Sequence, residues 1–477
     1  MLKVQNTVER EIAIASIVSD DYLSKMREVY KPKLILSDFA RRVVGWCVDY
    51  HEKYGKAPGK HITELFHHHV RKGDVDDAME EMIGKFLAGL STQYEDKAEL
   101  NVPYLLDVTE KHFKDRSLLN LSEDLQALVS EGKTDEASVA VGKFHLPERK
   151  EGHIVEPFAD KEVAKQAFQE KAEPLFMMRG ALGRMINHHL TRDAFIAIMG
   201  PEKRGKSFWL LEFAFVAYRQ RRNVAFFSCG DMSQNQATRR LCVRSAKLPM
   251  WRKHVGPIKI PVEIVQSDRD DDDQPIKGHE VVYQEENFEK SINLRESWMA
   301  MKNLSTDAPG KFKLATYATD TLRVSDIENQ LDLWESQEGF VPDVIVVDYA
   351  DILAPEKTGE REFRHQENSK WKSLRRVSQE RRCLVITATQ ADGDSYDQET
   401  LSMKNYSEDK RKYAHVTGLF ALNQTPEEKK AGVMRLGWLV LREDEFDTRD
   451  MVYVLQCLRL GLPHVRSFYL RDINEKQ

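Results

Sequence analysis

Gly200-Pro201-Glu202-Lys203-Arg204-Gly205-Lys206-Ser207 carries the residue types of a phosphate-binding loop at the spacing that chemistry needs. Gly200 and Gly205 let the backbone curl so that successive N–H groups face phosphate oxygens. Lys206 supplies a point charge for the β- and γ-phosphates of a nucleoside triphosphate, and the Ser207 hydroxyl supplies an oxygen for Mg2+. The eight loop residues and Phe208, which follows them, form the nucleotide-binding set. Asp348 closes the apolar run Val344-Ile345-Val346-Val347, the pattern of a buried strand whose terminal carboxylate holds Mg2+. Asp231 follows the apolar run Val224 to Cys229 and is placed to orient an attacking water. Gln390 ends the run Cys383 to Thr389, where an amide can hydrogen-bond the γ-phosphate or its water and report its loss.

These groups need elements that bring them together. Ala194 to Met199 reads as a buried strand, and Phe208 to Phe215 as the start of a buried helix whose N-terminus adds partial positive charge at the loop. In open parallel sheets, ligands sit at the carboxyl ends of the strands. Gly200, Asp231, Asp348 and Gln390 are therefore expected along one rim. The polar segment after Asp348 carries Lys357, Arg361 and Arg364, and a basic helix follows from Lys370 to Arg382. The long loop after Gln390 carries Lys404, Lys410, Arg411 and Lys412. Loops of that length in compact domains are usually functional or disordered, and these cations suit the phosphates of single-stranded DNA. Arg435 to Arg442 and Met451 to Gly461 read as late antiparallel strands. Arg459, beside Gly461, is a candidate arginine finger supplied to an adjacent subunit.

The chain has 477 residues, 41% hydrophobic and 31% charged, with a formal net charge of -6. That length suggests more than one domain, and nucleic-acid binding must come from local patches rather than overall attraction. Residues 1–155 carry apolar positions at helical spacing and read as an all-α assembly domain, with a helical hairpin broken at Gly132. Residues 156–174 read as a linker holding an amphipathic helix, with Val163, Ala164, Ala167 and Phe168 on one face. Residues 175–477 read as the α/β domain that carries the phosphate loop, interrupted at about 250–312, where Asp268 to Asp273 reads as a solvated loop. His67-His68-His69 point in different directions on a helix, which favours a surface or hinge role over metal binding. The five cysteines lack C-x-x-C spacing and read as reduced, mostly buried thiols. No apolar run is long enough to span a membrane, and Met1 to Gln5 lacks the apolar core of a signal peptide. The expectation is a cytoplasmic protein.

The order of parts resembles the hexameric replicative DNA helicases of the DnaB type, over about residues 175 to 470. The matching positions are Gly200 to Ser207 for Walker A, Asp231 for the catalytic acid, Asp348 for Walker B, Gln390 for the sensor and Arg459 for the finger. Arg179 to Met185 is similar to that family's approach to its first core strand. The resemblance implies a RecA-like P-loop ATPase fold with a mostly parallel central sheet, beside an all-α N-terminal domain and a linker helix. It implies ATP and Mg2+ as cofactors and a homo-hexameric ring on single-stranded or forked DNA. A primase or helicase loader would be a partner, without a membrane, in a bacterial or phage-infected cell. Two departures bear on rate. Ser228-Cys229-Gly230-Asp231-Met232 is one residue longer, and its acid one methylene shorter, than the family's Ser-Leu-Glu-Met. Cys457 stands where the family usually has Lys. Two rival readings are a RecA-like recombination or repair ATPase that coats DNA without unwinding it, and a nucleotide-gated assembly protein with slow turnover.

Overall fold

Apolar runs without alternation are the signature of strands covered on both faces, and the central sheet is built from them. The computed structural model describes residues 2–94, 100–142, 144, 146, 161–162, 165, 173–267, 274–307, 310–356, 363–396, 398–405 and 410–474. The chain divides into two compact units, Met1–Glu156 and Pro157–Gln477.

The first unit is helical, with helices Leu2–Val18, Asp20–Met26, Asp38–Tyr54, Ile62–Lys72, Asp77–Tyr94, Val102–Ser130 and Thr134–Gly142. The Asn101 side chain accepts the Tyr104 N–H and starts the long helix, with Pro103 in its first turn. Its core gathers Tyr22, Leu23, Val43, Val44, Cys47 and Phe113. Glu9 is buried there and accepts the N–H groups of Leu36 and Ser37, each at 2.8 Å, with His112 Nε2 at 3.2 Å. Burial pushes the Glu9 carboxyl up, but His112 and the two N–H groups outweigh it and hold the carboxyl below its usual range. In the histidine triplet, His69 stacks on Trp46 at 4.6 Å and meets Asp74 at 3.1 Å. Among the described residues no group of three or more His, Cys, Asp or Glu side chains could hold a metal ion.

The second unit is built on a nine-stranded sheet. In chain order the strands are β1 (Phe195–Gly200), β2 (Val224–Ser228), β3 (Gly256–Gln266), β4 (His279–Phe288), β5 (Phe312–Thr316), β6 (Val344–Asp348), β7 (Leu384–Gln390), β8 (Gly418–Asn423), β9 (Val433–Leu441), β10 (Val452–Cys457) and β11 (Leu462–Phe468). Across the sheet they run β11-β10-β9-β8-β1-β7-β6-β2-β5. The half from β5 to β8 is parallel, and β9, β10 and β11 are added antiparallel, as the late strands were expected to be. Alternate residues of β1 enter opposite cores. Ile196 and Ile198 pack with Trp209 and Phe213 of the helix Lys206–Arg219. Phe195, Ala197 and Met199 pack with Trp371 and Leu374 of the helix Phe363–Glu380.

The interruption has its own structure. β3 and β4 form an antiparallel hairpin outside the main sheet. Its Ile258, Ile260 and Phe288 pack against Cys457 and Leu460, and its Ile264 and Val281 against Val433 and Leu455. The helix Leu294–Asp307 follows, and residue 312 opens β5, the edge strand paired with β2. Asp268 to Asp273 and the apolar stripe Val163, Ala164, Ala167 and Phe168 lie outside the described residues. All five cysteines are buried and free. Among the described residues no helix is long and apolar enough to cross a membrane.

One residue of β11 makes stability depend on pH. Burial, reinforced by Arg244 and Arg179, depresses the His464 imidazole to about 4. The unfolded chain, with an ordinary imidazole, therefore binds the extra proton first on acidification. Stability is lost as pH falls from about 6.5 to about 4, by up to about 3 kcal/mol. Urea midpoints of the native chain and of His464→Gln, measured across that window, isolate this contribution as the difference between their two slopes. Equal slopes would rule the assignment out.

Candidate nucleotide-binding site

The sheet register brings the predicted residues together. Gly200, at the end of β1, is the register partner of Gln390 at the end of β7. Ser228, at the end of β2, is the partner of Asp348 at the end of β6. β1 and β6 flank β7, so the carboxyl ends of these four strands form one rim, where such sheets take ligands.

Pro201 to Gly205 turn from β1 into the helix Lys206–Arg219. Gly205 sits at the helix start with φ +91°, a left-handed conformation in which a side chain would be strained. The buried Lys206 Nζ donates to the carbonyls of Gly200 and Pro201 at 2.9 and 3.1 Å. Burial pushes the Lys206 ammonium below its usual range, while Asp351, Asp231, Asp348 and Glu202 act in the opposite sense.

Ser207 and Asp348 meet directly, with Ser207 Oγ donating to Asp348 Oδ1 at 3.1 Å. Asp348 is fully buried, and its Oδ2 has no hydrogen-bond partner among the described residues. Burial pushes its carboxyl up to about 7, and the charge of Asp231 adds to that rise against the Ser207 hydrogen bond, Arg240 and Lys206. A buried carboxylate oxygen without such a partner, next to a hydroxyl and beside the phosphate loop, is the hard-oxygen set that suits Mg2+.

Asp231 is exposed on the wall of the same cleft, past the end of β2. The additional residue in its turn is accommodated by Gly230, whose φ is +125° and whose missing Cβ would come within 2.3 Å of Thr319 Oγ1. Gln390 also faces the cleft, and its N–H donates to Asp351 Oδ2 at 2.9 Å. The cleft measures about 1800 Å³ and is walled on its far side by the β3–β4 hairpin, through Pro261 and Tyr283, and by Arg459. Arg459 is exposed in the short turn Leu458–Leu460 between β10 and β11.

Sequence reasoning missed Arg240. It lies on the helix Gln234–Ala246, lines the cleft with its guanidinium 4.3 Å from the Phe208 ring, and is drawn by Asp348 and Asp231. The signal is present in the sequence only as one of three arginines, Arg239, Arg240 and Arg244. The neighbours separate them, since Arg244 pairs with Glu212 and Arg239 lies over Trp251.

The basic candidates divide. Arg364, Lys404 and Arg411 are exposed, and Lys410 opens the turn Lys410–Ala414. Lys357 and Arg361 lie outside the described residues. Lys412 is corrected: its side chain has 0% exposure and is held by Asp351 at 2.9 Å and Glu367 at 3.3 Å, so it presents no charge to a DNA strand. The basic helix also spends charge internally. Lys370 is buried on Glu367, while Arg376 and Arg381 reach Glu328 and Asp332 of the helix Val324–Glu338.

No protein-family model and no curated protein sequence matches this chain. Among solved structures, a DnaB-like replicative helicase, described with its interactions with primase, is similar over 95% of this chain and 98% of its own, with a TM-score of 0.58 and 12% identity. A second solved structure, described as an ATPase domain, aligns over 66% of this chain and 100% of its own, with a TM-score of 0.49 and 12% identity. What the chain shares with the first of these is the fold: a mostly parallel sheet of the RecA-like kind together with a helical N-terminal region, as in a DnaB-like replicative helicase.

Proposed function

We propose that this chain is an ATP- and Mg2+-dependent replicative DNA helicase. It assembles as a homo-hexameric ring, moves along single-stranded DNA and separates the duplex at a fork. The observation that carries this reading is the meeting of Ser207 with Asp348 beneath the phosphate loop, with Gln390 in register beside Gly200. Mg-ATP, when bound, supplies the phosphoanhydride bond whose hydrolysis drives movement. The chain's own residues supply the rest. The loop N–H groups and Lys206 would hold the triphosphate, and Ser207 and Asp348 would hold the metal. Asp231 would orient the attacking water, while Arg240 holds positive charge beside both acids. Gln390 would sense the γ-phosphate. Arg459 would stabilise charge at a neighbouring subunit's site. Arg364, Lys404, Lys410 and Arg411 are proposed to contact the DNA backbone, with Lys357 and Arg361 on the segment before them. A primase or a loader is the proposed protein partner. The similar solved helicase is described with primase.

The position of Asp231, short and beyond an added glycine, favours slow hydrolysis and keeps nucleotide-gated assembly as a second reading. A forked-duplex assay beside phosphate release decides between them. The helicase reading expects strand separation that needs both ATP and Mg2+, and hydrolysis stimulated by single-stranded DNA. Stimulated hydrolysis without strand separation would favour a recombination-type ATPase. Nucleotide-dependent assembly without turnover would favour the gated assembly protein.

A further inference from the structure

Asp351, which also acts on the Lys206 ammonium, anchors a charged cluster that reaches the loop after Gln390. Asp351 sits in the short turn Ala350–Ile352, three residues after Asp348. Its Oδ2 accepts the Thr389 hydroxyl at 2.8 Å and the Gln390 N–H at 2.9 Å. Its Oδ1 accepts from Lys412 Nζ at 2.9 Å. Lys412 also meets Glu367 Oε2 at 3.3 Å, an ionic contact without hydrogen-bond geometry, and lies 6.0 Å from the centre of the buried Trp371 ring. Lys370 closes the group, donating to Glu367 at 2.5 Å and to the Asp351 carbonyl at 3.4 Å. Glu367, Lys370 and Lys412 are all at least nine-tenths buried. Two acids and two amines thus balance, three of them buried and Asp351 half-buried.

The two oxygens of Asp351 face different parts of the chain. One holds the backbone at Gln390, and the other holds the end of the loop that leaves Gln390 and returns through Lys410–Ala414. A second tie, His415 Nε2 to Asn368 Oδ1 at 2.8 Å, fixes the same loop end to the helix that carries Glu367. With Lys412 and Glu367 buried, a displacement at Gln390 breaks its bond to the Asp351 carboxylate or carries Asp351 and Lys412 with it. A balanced cluster moves together more readily than it separates, because separation leaves buried charge unpaired.

We propose that Asp351 is a positioning residue, a latch that ties Gln390 to the loop ending at Lys412 and so passes the state of the nucleotide site to the rim that carries Lys404 and Arg411. This rests on the reading of Gln390 as a nucleotide sensor. The carboxylate acts through Gln390 and Lys412, and it is not itself a group that touches the substrate.

Two variants open the latch, one from each end. Asp351→Asn keeps an oxygen for Thr389 and Gln390 but can turn an amide donor toward Lys412. Lys412→Met removes the ammonium, and Lys412→Arg restores a cation. Deuterium uptake of the full chain is followed with and without Mg2+ and a non-hydrolysable ATP analogue. In the native chain, the analogue should slow exchange both in peptides over residues 200–210 and in those over 398–405 and 410–416. In Asp351→Asn and Lys412→Met, slowing over 200–210 should persist, while slowing over the loop peptides should fall by about tenfold. Lys412→Arg should regain part of it. If Asp351→Asn fails to fold, the Lys412→Met and Lys412→Arg pair decides alone. Loop peptides that respond as strongly in the variants as in the native chain would overturn the latch. So would native loop peptides that ignore the analogue while 200–210 responds. A native chain in which 200–210 also ignores the analogue would overturn the nucleotide reading itself, and the latch with it.

Discussion

Replacing Lys206 with alanine should lower ATP hydrolysis by about 10²–10³-fold, the range for removing a preorganised donor aimed at developing charge. The loss should fall on kcat more than on KM, because Lys206 is asked to stabilise charge that grows as the γ-phosphoryl group leaves. Two observations make Lys206 the group to test. Its ammonium is buried, and it donates to the loop carbonyls of Gly200 and Pro201. It is thus held inside the loop at the start of a helix, where an ammonium in the first turn gains nothing from the helix dipole. Such a charge is costly unless an anion arrives. Phosphate release by Lys206→Ala, compared with the native chain at saturating Mg-ATP, measures the effect. A normal rate would remove the assignment of the whole loop. The thermal midpoint of the variant serves as the control for folding, since deleting an amine that bonds two loop carbonyls should leave the sheet intact.

The parts of this site that can be read from sequence are those where chemistry and fold share one short stretch. The phosphate loop announces itself because strand, glycines, Lys206, Ser207 and helix are contiguous. Asp348 is legible because Val344 to Val347 are β-branched and apolar without alternation, the pattern of a doubly covered strand. The antiparallel end of the sheet is legible for a similar reason. What cannot be read depends on partners far away in the chain. Lys412 stands in Lys410-Arg411-Lys412, a run that looks solvated, yet its partner Asp351 lies 61 residues earlier. Neither residue alone signals a buried pair. Arg240 is hidden among three arginines whose roles are set by Glu212, Trp251 and Phe208 on other elements. The hairpin of β3 and β4 reads from sequence only as an interruption. Its buried Ile258, Ile260 and Ile264 lie on alternate positions, a period that carries a strand signal. Asp231 lies past β2 as expected, but the sequence does not tell that Gly230 turns the chain and leaves the acid exposed.

Arg459→Ala should reduce hydrolysis by about 10³–10⁵-fold, the range for loss of an arginine finger. Arg459 is exposed on a turn that Leu460 and Cys457 anchor in a small apolar cluster with the β3–β4 hairpin, so its loss should leave the fold intact. The more informative question is whose triphosphate it serves. Arg459 lines the same wide cleft as the phosphate loop of its own chain, so geometry alone permits action within one chain as well as between chains. Mixing separates the two. Subunits of Lys206→Ala keep the finger and lack the loop lysine, and subunits of Arg459→Ala have the reverse defect. If the finger acts within a chain, every site in every mixture carries a defect, and no ratio restores hydrolysis. If it acts on the neighbour, random assembly at equal amounts leaves about one interface in four with both native groups, because each side is native half the time. Hydrolysis should then rise to about a quarter of the native rate where interfaces act independently, and less where they must fire in sequence around a ring. The recovery should disappear when the two variants are assembled separately and combined under conditions that block subunit exchange. That control ties the regained activity to an interface carrying Lys206 from one chain and Arg459 from the next.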